Sequence, residues 1–181
     1  MCIFTDRGVP LKHDAPIRCL KLVYKVEEYN SIGELVGIRY FSPFSNFEYK
    51  IGEVAKIKEN EIFAAKWLVD RDFLSEEHAM YKYVCRHGLH TFEMSKRSFD
   101  AVMKVISWMR NYTLNIYKQK QEVCLLECEI PANVSYYEGK SNCISGNHNE
   151  YGYCSEQLNV LHEIDYNEYV SKYCRRKRLC D

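Results

Sequence analysis

The chain has 181 residues, 46% of them hydrophobic and 28% charged, a size and balance that predict one globular domain over residues 1–181 with a core of its own. Its 25 basic and 25 acidic residues cancel, which argues against a protein built mainly to coat nucleic acid or an anionic membrane. Four prolines and eight glycines leave no room for a long disordered tract.

Residues Met1 to Asp14 include Asp6, Arg7, Lys12, His13 and Asp14 rather than a basic-then-apolar leader, and no stretch approaches the ~20 apolar residues of a membrane span. The expectation is a soluble, cytoplasmic protein with no membrane association. The nine cysteines are odd in number in a chain that is not small, so free and mostly buried thiols are expected rather than a disulfide framework.

In chain order, Ile17 to Val26 alternates apolar and polar residues and predicts a half-buried strand with Leu20, Leu22, Tyr24 and Val26 on one face. Asn30-Ser31-Ile32-Gly33 supplies a turn, Leu35 to Phe41 returns, and Pro43 stops the returning strand. Ser42 to Glu53 packs aromatics without helical spacing, as a structured loop or short strand. Val54 to Val69 reads as a second hairpin, and Ser75 to Tyr81 as a short helix start with a serine cap and first-turn acids.

Gly88-Leu89-His90-Thr91-Phe92 reads as the opening of a helical segment. Ser95 can cap the helix itself, from Lys96 to about Asn111, whose Phe99, Val102, Met103, Ile106 and Met109 recur at three and four residues. Glu122 to Ile130 is a strand closed by Pro131, and Leu158 to Ile164 a last strand. Asp165 to Asp181 reads as a C-terminal helix with Tyr166, Tyr169, Val170 and Tyr173 inward. The fold predicted is α+β: a mainly antiparallel sheet with hairpins, packed on one central amphipathic helix, plus the C-terminal helix.

Candidate chemistry falls into four groups. Cys124 and Cys128 share a strand face, with Cys143, His148 and Cys154 to follow, but the pair lies in an apolar run where cysteine behaves as a small hydrophobe, so no metal is expected. His87 and His90 bracket a glycine turn where an imidazole could face an anionic ligand at a helix N-terminus. The plain alternative is a tight turn at Gly88 with Phe92 in the core. Arg39, Ser42, His90 and Glu156 are the residue types of an ADP-ribosyl transfer enzyme using NAD: an arginine for a diphosphate, a serine near a ribose, a glutamate for a sugar hydroxyl. Arg175-Arg176-Lys177-Arg178 makes the tail locally basic, the only part suited to nucleic acid.

Tyr136 and Tyr137, with Tyr151 and Tyr153, surround a glycine- and asparagine-rich loop, and tyrosines on loops favour binding surfaces. The sequence therefore predicts a non-catalytic binding module for a small anionic, nucleotide-like ligand or a host protein, without a cofactor. Its site would be formed by His87, His90, Phe92, Tyr136, Tyr137, Tyr151, Tyr153 and Ser155. The alternatives are the NAD-using enzyme and a structural or interaction protein with no pocket. The first hairpin shows little edge protection beyond its lysines, so a homodimer through that edge is a further expectation.

The marks Gly88-Leu89-His90-Thr91-Phe92, Glu127-Cys128-Glu129-Ile130-Pro131, Tyr136-Tyr137-Glu138-Gly139 and Tyr153-Cys154-Ser155 leading into Leu158 occur together here. Phe41-Ser42-Pro43-Phe44 and Tyr49-Lys50-Ile51-Gly52 precede them. This pattern resembles that of a family of small bacterial and phage proteins that carries no assigned activity. The resemblance implies a phage or mobile-element accessory protein.

Overall fold

A computed structural model describes residues 2–43, 45, 47–58, 63–68, 81–95, 122–141 and 151–165. These residues form twelve strands in one antiparallel sheet that curls into a half-barrel, and no helix occurs among them. The α+β expectation is thereby corrected to an all-strand architecture. The segments read as the central helix, Lys96 to Asn111, and as the C-terminal helix lie outside the described residues, as does nearly all of the short helix start at Ser75 to Tyr81.

The strands are β1 (Ile3–Thr5), β2 (Ile17–Tyr29), β3 (Leu35–Phe41), β4 (Glu48–Tyr49), β5 (Val54–Lys56), β6 (Ala65–Trp67), β7 (Tyr83–Cys85), β8 (Leu89–Glu93), β9 (Glu122–Ile130), β10 (Tyr136–Ser141), β11 (Tyr151–Ser155) and β12 (Gln157–Glu163). Their spatial order is β5-β12-β9-β2-β8-β11-β10-β1-β7-β6, with β3 branching from β2 and β4 pairing β3.

The predicted first hairpin is present. Residues Tyr24 to Tyr29 of β2 pair with β3, across a turn in which Asn30 Oδ1 accepts from the backbone N–H groups of Ile32 (3.1 Å) and Glu34 (2.9 Å) and Gly33 adopts a φ of 83°. A positive φ costs glycine nothing, and the asparagine side chain closes the turn as a backbone would. The predicted second hairpin is not present: β5 pairs with β12 and β6 with β7.

β2 is the organising strand, flanked by β9 over Ile17 to Lys25 and, on its other edge, by β8 and then β3. Residues Cys19 to Val23 are buried at five consecutive positions, so both faces are covered there. The main apolar cluster takes the face of Cys19 and Val23, together with Tyr40, Tyr49, Leu89, Cys124, Leu126, Cys128, Ile130, Leu158 and Val160. That is the face opposite to the one predicted from Leu20 and Leu22, which are nonetheless buried on their own side.

In β10 and β11, Gly139 and Gly152 stand directly opposite each other. A Cβ on Gly139 would lie 2.0 Å from the carbonyl oxygen of Phe4 in β1, and one on Gly152 would lie 2.4 Å from that of Thr91 in β8. Only residues without a side chain allow the neighbouring backbones this close. Ile3, Cys85, Tyr137 and Cys154, from β1, β7, β10 and β11, form a second apolar cluster. Among the described residues, no helix is long and apolar enough to cross a membrane.

Candidate functional site

The chain builds its cavity where the sheet branches. On one edge of β2, pairing with β8 ends at Leu20 and pairing with β3 begins at Tyr24. Across the gap, Ser42, Ser45 and Phe47 and the turn from Arg86 to Gly88 join Lys21 in lining a cleft of about 250 Å³. The Ser42 N–H donates to the Phe47 carbonyl at 2.8 Å. The turn depends on Gly88, whose φ is 145° and whose Cβ, if present, would lie 2.4 Å from Cys154 Sγ.

Lys21 is the central feature. It is 4% exposed, on the same face as Cys19 and Val23. Its Nζ donates to the carbonyl of His90 at 2.7 Å and stands 5.1 Å from the centroid of the Tyr49 ring. Among the described residues it makes no ion pair. A buried ammonium is costly unless an anion or several acceptors meet it, and one carbonyl with one aromatic face leaves donor capacity to spare.

The rest of the lining supplies the same sign of charge. Lys58 and Arg86 join Lys21, Ser42 and Ser45 add hydroxyls, and Phe47, Tyr49, Ile57 and Leu89 give an apolar wall. No Asp or Glu is among the described lining residues. His90 lines the cavity without adding charge: burial first, and then the neighbouring Lys21 charge, lower its pKa to about 3. Its Nε2 lies 3.2 Å from the Cys85 carbonyl. Lys21 is buried while Lys58 and Arg86 are exposed, and the three cations together favour a positive potential in one small space.

Of the residues expected at the site, His87, His90 and, from the enzyme alternative, Ser42 converge on this cleft. The helix N-terminus expected to hold the histidines is replaced by strand β8, which begins at Leu89 and is hemmed by β2 and β11. The others lie elsewhere. Phe92 is 1% exposed within β8. Tyr136 and Tyr137 are buried strand residues rather than loop tyrosines, the former edge-on to Tyr153 at 6.0 Å and the latter tilted on Phe63 at 5.2 Å. Tyr151 is exposed at the start of β11, and Ser155 is buried with its Oγ donating to the Gln157 carbonyl at 3.0 Å.

Arg39 and Glu156 do not line the cleft. The Arg39 guanidinium is engaged bidentately by Glu48, at 2.9 and 2.8 Å, and by Glu28 at 3.2 Å, over the Phe41 ring. Glu156 sits between β11 and β12, its backbone carbonyl accepting from Ile57 at 3.0 Å. The basic run at 175–178 and Cys143 and His148 lie outside the described residues. No group of three or more potential metal ligands is gathered among the described residues.

Sequence reasoning missed Lys21, Lys58, Arg86, Phe47 and Tyr49. Arg86 could have been found, since Arg86-His87-Gly88 sets two nitrogen-rich side chains immediately before a turn glycine. Lys21 could not, because period-2 alternation assigns it to the solvent face.

Compared with known protein families, curated proteins and solved structures, the chain matches none.

Proposed function

We propose that this protein is a binding module for a small anionic, nucleotide-like ligand, seated in the cleft at the branch of β2 between β8 and β3. The observation that supports this reading is Lys21: a 4%-exposed ammonium, opening on a cleft that also carries Lys58 and Arg86 and has no acid among its described lining residues. A protein seldom buries a lysine without pairing it. An incoming anion would complete the arrangement, and it would exchange water for charge-assisted hydrogen bonds inside a partly dry cleft. Of the two cleft histidines, His90 has its Nε2 on a backbone carbonyl and is poorly placed as a general base, which favours binding over catalysis. The module is therefore read as a binder. The resemblance to small bacterial and phage proteins supports a setting as a phage or mobile-element accessory protein.

The test is thermal stabilisation by inorganic phosphate and by nucleotides. A ligand at ~100 times its dissociation constant stabilises a fold by about 2.7 kcal/mol. The wild type should shift, while Lys21→Met and Arg86→Gln should each reduce the shift. Equal shifts in wild type and both variants, or none in any, would sink the reading.

A further inference from the structure

Resting on that reading, we infer that the ligand is a phosphomonoester of mononucleotide size, its terminal phosphate on Lys21 and Arg86 and its base against Phe47. Volume is the first argument. At about 250 Å³ the cleft falls below the ~300–1,000 Å³ range of pockets that enclose drug-sized ligands. A cleft of this size encloses a single phosphate with one sugar and base more readily than a dinucleotide such as NAD.

Charge is the second argument. Three cations, Lys21 buried and Lys58 and Arg86 exposed, with no carboxylate among the described lining residues, suit a highly charged anion of that size. A phosphomonoester carries about −1.5 to −2 at pH 7. A phosphodiester, as in a cyclic nucleotide or a nucleic-acid backbone, carries only one charge and leaves more of the site's positive charge unmet. Lys21 is the deepest of the cations and is already oriented by the His90 carbonyl and the Tyr49 ring. Little side-chain entropy remains for it to lose on binding.

The wall is the third. Phe47 is half-buried and braced by Tyr49, with ring centroids 4.9 Å apart and planes tilted by 55°. A braced ring at the rim of a cationic cleft offers a stacking surface to a base, as in single-strand binding sites where stacking contributes ~1–3 kcal/mol per base. Ser42 and Ser45 flank it within reach of a sugar hydroxyl or a phosphate oxygen.

Isothermal titration of the full chain at pH 7.5 distinguishes the possibilities, using inorganic phosphate, ribose 5-phosphate, the four nucleoside 5′-monophosphates, cyclic AMP and NAD. The expected order places at least one nucleoside monophosphate about tenfold or more tighter than inorganic phosphate and ribose 5-phosphate. Cyclic AMP and NAD should be at least about tenfold weaker than that monophosphate. Phe47→Ala should shrink the ratio of nucleotide to inorganic phosphate affinity toward one, the ratio being the readout, with Phe47→Leu as the milder variant should the alanine form not fold.

Phosphate binding that depends on Lys21, with no gain from a base or with NAD bound as tightly, overturns this inference and leaves the anion site standing. Binding of none of these anions overturns both.

Discussion

Cys85 and Cys154 bring their sulfur atoms to 3.2 Å although β10 and β1 lie between their strands in the sheet. Both sulfurs also stand 3.5 Å from the carbonyl oxygen of His87. The sheet curls enough to bring β7, joined to β8 by the short turn from Arg86 to Gly88, against β11, and the residues of that turn pack directly on this pair.

The thiols follow from their surroundings. Burial pushes Cys19 and Cys124 up to about 12 and raises Cys128 and Cys154 well above the usual thiol range. Since the thiolate is the nucleophile, brief treatment with iodoacetamide at pH 8 should modify Cys2, which is partly exposed, and spare Cys19, Cys85, Cys124, Cys128 and Cys154. All five should react once denaturant is added. Peptide-resolved mass spectrometry reads the outcome, and rapid labelling of Cys19 or Cys128 in the native protein would contradict the packing described here.

Gly88 is the most constrained of the turn positions. Its φ of 145° disfavours any side chain, and an added Cβ would meet Cys154 Sγ at 2.4 Å, Phe63 at 2.9 Å and the Ser155 carbonyl at 3.2 Å. Gly88→Ala should cost about 2–5 kcal/mol, combining roughly 1–2 for the backbone with overpacking of 1–3. Gly33→Ala is the control: its φ is also positive, yet nothing lies within 4 Å, so it should show the backbone contribution alone. Urea denaturation of the two variants gives the difference, and equal losses would remove the steric argument.

Lys21→Met should separate stability from binding. The methionine fills a similar volume without an ammonium to desolvate, so the ligand-free variant is expected to be as stable as the wild type or more so, by about 1 kcal/mol. Urea midpoints in a phosphate-free buffer provide the check. A loss above about 2 kcal/mol would mean that Lys21 serves the fold and not a ligand.

His90 gives the protein a pH dependence of definite sign. Its pKa is lowered from 6.5 in the unfolded chain to about 3 by burial and by Lys21, so the unfolded state binds the extra proton between those values. The stabilisation is fully present above pH 6.5 and is lost as pH falls through the window toward 3, at up to about 1.4 kcal/mol per pH unit. Comparing unfolding free energies at pH 7 and pH 5 should show this loss in the wild type and a smaller one in His90→Gln. Identical slopes would place the titrating group elsewhere.

What the sequence disclosed follows the range of the interactions concerned. The hairpin of Ile17 to Phe41 was legible because alternation, an Asn-to-Gly turn and a following proline are all local signals, and β9 and β12 were legible by the same alternation. Gly88 to Phe92 was read as a helix opening because its glycine and the cap at Ser95 are local signals too. The state of that segment is instead set by two distant partners, Leu20 on one side and Tyr153 and Cys154 on the other. Tyr136 and Tyr137 misled for a related reason: they border a loop in sequence, but they are buried in β10, which pairs with β11 and β1. The cleft was only half visible. Two of its histidines are marked by the turn, whereas Lys21 looks like any solvent-facing lysine of an amphipathic strand until the second face of β2 is seen to be buried.

The branch in β2 has one more consequence. Between Leu20 and Tyr24 that edge has no ladder partner among the described strands, and the 2.7 Å link from Lys21 to His90 bridges it instead. Sheet continuity at this point is carried by the opposite edge, where β9 pairs β2 from Ile17 to Lys25. A ligand gripped by Lys21 of β2 and by Arg86, just ahead of β8, would act as a rivet across the unpaired edge, and occupancy would be felt as slowed amide exchange in β2 and β8 at once.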